Sequence, residues 1–453
     1  MNTRSRFIAS TRRLARDYSV PTPWPGGSKA LAWFLAVGSV GFVLQVAARP
    51  AGWPLAFLFA EDGQVFLTET LRDGPTSLLT TYAGYLHLAP RSLALTCSSL
   101  VSPDAYVVCT GIAVAGIKAL AAVVAWPVLS AYAKSWGWGL AAASSFLFIP
   151  VGNLEVLGNI TNLRWFLVAA SFFALLGIFH RAPLALVAAV FAFLAATSDP
   201  LAIAWTPIAI WRAVGQRGWA RLPGLAALFA SALHAILLQP GARGERGTAS
   251  DLIVNPLDTI AQLLIRGPVA TQYGMNGTQE FLRFGVVPTL LTLTLTGVVA
   301  WVAWRHRGNF PEAARLAIAL VVIGEVLLLA VLSFPASYIA FTEIWSPSQP
   351  SRYSAFAALF RTPALVLAVS IVWRSPSSRW QRAASALTVV VLVGAFVSDG
   401  RGDPRHSSGP TWAQTLVESR DLCADGRLSV EAVNVPEYEG WKTVLQCGWV
   451  RRM

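Results

Sequence analysis

Long apolar runs separated by short polar segments recur along most of the chain. The first, about residues 30–48, follows a basic stretch and is too long for a signal-peptide core, so it reads as a retained span. Further runs lie at about 104–132, 136–150, 163–179, 183–198, 200–213, 222–239, 284–304, 313–333, 353–373 and 383–398. Taken as helices, they predict about eleven bilayer crossings, several of them shorter than the usual span of roughly 20 residues. The expected fold is an all-α membrane protein: 1–29 a basic cytoplasmic tail, 30–398 a multi-span body, and 399–453 a small polar C-terminal domain outside the membrane.

Composition agrees with that pattern. The 453 residues are 55% hydrophobic and 13% charged, against roughly 25% charged in soluble domains, and the mean hydropathy is +0.54. A soluble enzyme and a disordered chain are both excluded. The net charge of +12 invites a nucleic-acid reading, but its distribution argues otherwise. Lys134, Arg181, Arg212, Arg217, Arg221, Arg305, Arg307, Arg374, Arg379 and Arg382 all fall on one side of the alternating spans, with Asp17 and Glu312 the acidic residues there. This is the positive-inside asymmetry, with the N-terminus cytoplasmic and the C-terminus outside. The charge is an orientation signal, and no nucleic acid is expected as a partner. No internal repeat is visible, which weakens an inverted-repeat transporter reading.

The long loops, about 49–103, 240–283 and 334–352, share the outer face, and a protein that invests loop length on one face works there. In the first, Glu61 and Asp62 sit between two apolar stretches. Residues 64–71 suit a short interfacial helix ended by Asp73-Gly74-Pro75, and a second short helix fits about 89–100. Two carboxylates at a membrane surface are costly unless used or paired. Asp62 is read either as the cap of the helix that follows or as a general base. Tyr85, His87 and Arg91 come next; His87 and Arg91 suit an anion, although a snorkelling arginine is the alternative. Before the run at 163 lie Glu155, Asn159, Asn162 and Arg164, and Arg164 runs against the positive-inside trend. Asp199 sits in a tight Asp-Pro turn, and Arg352 opens a span from outside. Within spans, Lys118, Glu325 and Arg361 are expected to pair, Glu325 with Arg361 or Lys118.

Cys97 and Cys109 read as small hydrophobes, whereas Cys423 and Cys447 lie in the polar tail and suit a disulfide in an oxidising compartment. Trp412, Trp441 and Trp449 of the tail suit a small core or stacking on sugar rings. No GxGxxG, Walker loop, HExxH or GxSxG is evident. The outer face therefore offers carboxylates and Arg91, Arg164 and Arg352 from distant parts of the chain. That set suits glycosyl transfer from a lipid-linked phosphosugar, in which arginines hold phosphate and a carboxylate takes a hydroxyl proton.

With its basic N-terminus, one span, AEDGQVFL and then GYLHLAPR in a long outer loop, the chain resembles bacterial GT-C-type membrane glycosyltransferases. GNITNLRWFL and PSRYSAF are similar to segments of the group, and the resemblance is best over roughly the first 170 residues. It implies a multi-span enzyme of the bacterial cytoplasmic membrane that moves a sugar from a polyprenyl-phosphate donor to a cell-envelope glycan, glycolipid or protein, in contact with membrane lipid. It also implies that Asp62 is the base with Glu61 in support. Arg91, Arg164, Arg352 and His87 are then the expected phosphate ligands, and Tyr85, Asn162, Glu155 and Asp199 further polar candidates. Some related enzymes use a divalent metal. No convincing oxygen-ligand set is apparent in this sequence, so no cofactor is required of it. A transporter or flippase, and a scaffold acting through its tail, are the competing readings.

Overall fold

The computed structural model describes residues 28–47, 55–151, 156, 158–237, 256–274, 278, 287–332, 352–401, 409–433 and 441–452. They form a multi-span, mostly helical membrane protein. Helix α1, Ser28–Ala47, is apolar on all sides, as a lipid-facing helix is. The loop after α1 then supplies a π-helical turn, Asp62–Leu67, running directly into α2, Thr68–Asp73. The helix predicted over 64–71 is thus present and slightly longer. It ends where Gly74 takes φ +60, a conformation that favours glycine. A short hairpin follows, β1 Thr81–Tyr82 and β2 Tyr85–Leu86, whose turn has positive φ at both Ala83 and Gly84. Helix α3, Leu88–Leu100, closes the loop.

The membrane body continues as α4 Tyr106–Ala133, α5 Trp136–Ala143, α6 Leu163–Leu176, α7 Ala182–Ser198, α8 Thr206–Gly215, α9 Leu222–Leu237, α10 Pro256–Leu264, α11 Val287–Arg305, α12 Pro311–Leu332, α13 Arg352–Arg374 and α14 Arg379–Arg401. Among the described residues, five helices are long and apolar enough to cross a membrane. They are Pro103–Ala133, Gly218–Leu237, Pro311–Leu332, Arg352–Arg374 and Arg379–Asp399, with shorter apolar helices between them. Helix α13 is the centre of the bundle: its apolar window is 94% buried, against 22% in α14. It packs on Trp165, Phe172 and Trp205 through Phe356 and Phe360.

Several sequence expectations change here. The run at 136–150 is not one helix: α5 stops at Ala143 and a 3-10 turn over Ser144–Phe146 follows. The run at 200–213 opens with a 3-10 helix, Pro200–Trp205, because Asp199 caps it through the Leu201 N–H. The fold is not purely helical either, since the described residues include two antiparallel strand pairs. Cys97 and Cys109 are not free hydrophobes but a disulfide joining α3 to α4. Glu325 does pair with Arg361, whereas Lys118 donates to the Val156 carbonyl at 2.8 Å and sits over the Phe166 ring.

The C-terminal segment forms α15 Trp412–Ala424, the hairpin β3 Ser429–Val433 with β4 Lys442–Gln446, and the short α16 Cys447–Val450. A capping box, Thr411 with Gln414, starts α15. Cys423 and Cys447 form a disulfide between α15 and α16. Trp412 and Trp449 are buried in one apolar cluster with Leu58, Leu67 and Tyr106, so neither is a platform for sugar.

Close packing of α5 on α4 requires Gly139, where an added Cβ would lie 2.4 Å from the Ser130 Cα. Backbone cannot yield as a side-chain tip can, so Gly139→Ala is expected to cost about 1–3 kcal/mol. Thermal unfolding in detergent checks this: Gly139→Ala lowers the melting temperature by several degrees, whereas Gly137→Ala, with open space around it, leaves it unchanged.

Candidate functional site

The loop after α1 holds its acidic pair at the start of the π-helical turn. Asp62 does not cap that helix, contrary to the capping reading. Its carboxylate instead reaches across to the turn before α6: Oδ2 accepts the Ile160 N–H at 2.8 Å, and Oδ1 accepts the Thr161 N–H at 3.0 Å and the Thr161 hydroxyl. Asp62 is 5% exposed. Burial pushes its pKa up to about 7, against the opposing pull of those donors, with the neighbouring Glu61 charge adding a little. A carboxyl poised near neutrality can both take and return a proton.

Glu61 turns toward α13. Its Oε1 lies 3.5 Å from Arg352 Nη1, and its buried Oε2 has no hydrogen-bond partner among the described residues. Two helical turns beyond, Glu69 accepts from Arg91 at 2.6 Å. Arg91 is fully buried, lies over the Phe66 ring, and leaves Nε and Nη2 without hydrogen-bond partners among the described residues. Arg164, on the first turn of α6, is 3.6 Å from Asp199 and faces the rings of Tyr85 and Trp165. Burial pushes Asp199 up from the ordinary carboxylate value, and Arg164 pulls it back. Each of the three arginines picked out from the sequence therefore has a carboxylate beside it.

The hairpin supplies the aromatic wall. Tyr85 stacks on His87 at 4.4 Å between centroids and on His234 of α9 at 6.3 Å. His87 is held by the Tyr82 carbonyl through Nε2, leaving Nδ1 unpaired. Burial, then the Arg91 charge, push its pKa down to about 3. It is thus neutral at physiological pH and carries no charge to offer a phosphate. His234 bonds the Ala196 carbonyl through Nδ1 at 2.6 Å, and its buried Nε2 has no partner. The backbone N–H of Ala89 donates to Ser198 at 2.9 Å, tying the start of α3 to the end of α7.

The loop, the turn before α6, the Asp199 turn, α9 and the head of α13 thus meet at one place. Asn162 belongs to the framework rather than the lining, since it accepts the Trp165 indole N–H at 3.2 Å. Glu155 lies outside the described residues. Sequence reading missed Glu69, Thr161 and His234. The first follows Asp62 by two helical turns, and the last is a histidine within an apolar helix, a signal that spans rarely give without cause.

A divalent cation does not fit these residues. Among the described residues no group of three or more His, Cys, Asp or Glu side chains gathers to hold one. The Asp62 oxygens already accept three donors, and Glu61 and Asp199 each lie against an arginine.

The sequence matches no family model and no curated protein. A solved structure, the oligosaccharyltransferase of Archaeoglobus fulgidus tethered through a disulfide bond to an acceptor peptide containing the NVT sequon, aligns over 87% of this chain and 58% of its own. Identity is 15% and the TM-score 0.43. An overlap that loose assigns no chemistry to this chain, which spans 58% of the length of the protein it matches.

The Asp62 environment predicts a pH effect on stability. A carboxyl whose folded pKa of about 7 exceeds its unfolded value of 3.8 favours folding below pH 4, and that contribution is lost as pH rises toward 7. Asp62→Asn does not titrate. Raising pH from 4 to 8 should therefore shift relative stability toward the variant, by up to about 4 kcal/mol. Parallel melting curves of wild type and Asp62→Asn across that range check it.

Proposed function

We propose that this protein is an integral-membrane glycosyltransferase that moves a sugar from a polyprenyl-phosphate donor to an acceptor on the extracytoplasmic face of a bacterial cytoplasmic membrane. The observation that carries the reading is Asp62: a buried carboxyl with a pKa of about 7, next to Glu61, which pairs with Arg352, on a loop whose Glu69 pairs with Arg91 and whose carboxylate is bonded to the turn leading to Arg164. In this reading the body makes about eleven crossings, with the N-terminus inside and the C-terminal domain outside.

The reaction is an in-line displacement with inversion. The acceptor hydroxyl attacks the anomeric carbon, the bond from that carbon to the phosphate oxygen breaks, and Asp62 takes the hydroxyl proton. Glu61 supports it: paired with Arg352, it keeps a second buried oxygen for a donor on the ligand. The leaving polyprenyl phosphate is stable as an anion and needs charge rather than a proton, which Arg91, Arg164 and Arg352 supply. The unpaired N–H groups of Arg91 suit phosphate oxygens. Because His87 is neutral, its unpaired Nδ1 suits a sugar hydroxyl better than the phosphate. No step is routed through a metal. The acceptor is a cell-envelope glycan, glycolipid or protein.

A transporter or flippase has less support. Glu325 and Arg361 pair with each other, and Lys118 is engaged by a carbonyl and a ring, so these charges do not line a path.

The test uses wild type, Asp62→Asn and Glu61→Gln in nanodiscs with a panel of polyprenyl-phosphate hexoses and pentoses. Released polyprenyl phosphate is measured in the presence of envelope extract as acceptor source. Turnover with one donor is expected, falling by about 10²–10⁴ in Asp62→Asn. Full turnover in both variants removes the acidic pair from the chemistry.

A further inference from the structure

The C-terminal segment is bound to the loop that carries the acidic pair. The Trp412 N–H donates to the Ala56 carbonyl at 2.7 Å, and its indole N–H to the Pro103 carbonyl at 2.7 Å. The Trp449 indole N–H donates to the Ser98 carbonyl at 3.0 Å, and Arg420 pairs with Asp104 at 2.6 Å. Trp441 packs on Phe59 and Ala60, the residues directly before Glu61. Both disulfides lie in the shared apolar cluster, along with Leu58 and Leu67 from either end of the acidic turn.

One contact reaches the turn itself. The Val444 N–H of β4 donates to Thr68 Oγ1 at 2.9 Å, and that hydroxyl donates to the Gly63 carbonyl at 3.0 Å. The Thr68 backbone N–H also bonds the Gly63 carbonyl, closing the π-helical turn over Asp62–Leu67. A π turn is a less favourable arrangement than continuous α-helix and persists where surroundings hold it. Here it sets the direction in which Asp62 leaves the helix toward Ile160 and Thr161.

We propose that the C-terminal segment is a positioning element for the acidic pair, acting through the hydrogen-bond relay from Val444 through the Thr68 hydroxyl to the Gly63 carbonyl. Thr68 is the positioning residue; it touches neither substrate nor reacting atoms. The kinetic part of this inference rests on the glycosyltransferase reading, and the structural part does not.

The experiment compares full-length wild type, Thr68→Val, Thr68→Ser and Asp62→Asn in nanodiscs, with a Cys423→Ser/Cys447→Ser variant to loosen the tail. The first measurement is amide hydrogen exchange over residues 62–67. Faster exchange, by about tenfold or more, is expected in Thr68→Val and in the double cysteine variant, with Thr68→Ser close to wild type. Unchanged exchange in both loosened variants, or equal loss in Thr68→Ser and Thr68→Val, overturns the relay. The second is release of polyprenyl phosphate with the donor that wild type turns over. Thr68→Val should lower kcat about tenfold with the donor KM within about twofold, and Thr68→Ser should restore it. A Thr68→Val enzyme as fast as wild type, beside an inactive Asp62→Asn, overturns the positioning role alone. An Asp62→Asn enzyme as active as wild type removes the catalytic reading, and hydrogen exchange then decides the relay by itself.

Discussion

The bonds between the Asp62 carboxylate and the Ile160 and Thr161 backbone hold the site together. They join the loop after α1 to the turn that leads into α6. Burying an unpaired carboxylate would be prohibitive. The donors make the position tolerable without cancelling the cost, and so the pKa settles near 7 rather than at the ordinary carboxylate value. Around this anchor the other charges are arranged in pairs, each carboxylate against an arginine from a different element: Glu61 with Arg352, Glu69 with Arg91, Asp199 with Arg164. A neutral, pre-formed set of pairs can be kept out of water, yet it offers positive charge to an arriving phosphate when a carboxylate gives up its share.

Two further layers support that anchor. The central helix α13 brings Arg352 to the site at its first turn and packs its aromatic side chains on Trp165, Phe172 and Trp205. The C-terminal segment braces the opposite side of the loop through Thr68 and the cluster containing both disulfides. Both are connections between residues hundreds of positions apart. They let a loop hold side chains as firmly as a helix in the core does.

Local features were legible in the sequence because local chemistry dictates them. The helix after Glu61-Asp62, its stop at Gly74 and the helix near 89–100 follow from apolar spacing and turn residues, and the structure places them at 62–73 and 88–100. Arg164 stands out in the sequence because it runs against the positive-inside trend, Arg91 because His87 lies four residues before it, and Arg352 because it opens an apolar run. Their carboxylate partners were hidden, since no short-range rule links Arg352 to Glu61 or Arg164 to Asp199. Cys97 and Cys109 were misread because their apolar surroundings suited a reduced thiol equally well; only the packing of α3 on α4 brings them together. The spacing of His87 and Arg91 suggests an anion site, and what the spacing does not show is the burial that, with the Arg91 charge, lowers the His87 pKa to about 3.

The most direct test of the central claim is the pH dependence of kcat for release of polyprenyl phosphate by the wild-type protein in nanodiscs. With Asp62 as the base, the rate should fall on the acid side with a midpoint near its pKa of about 7, since protonation removes the acceptor of the hydroxyl proton. Asp62→Asn should leave only a residual rate without that limb. A profile flat from pH 5 to 8, or an acid limb that persists unchanged in Asp62→Asn, would contradict the account.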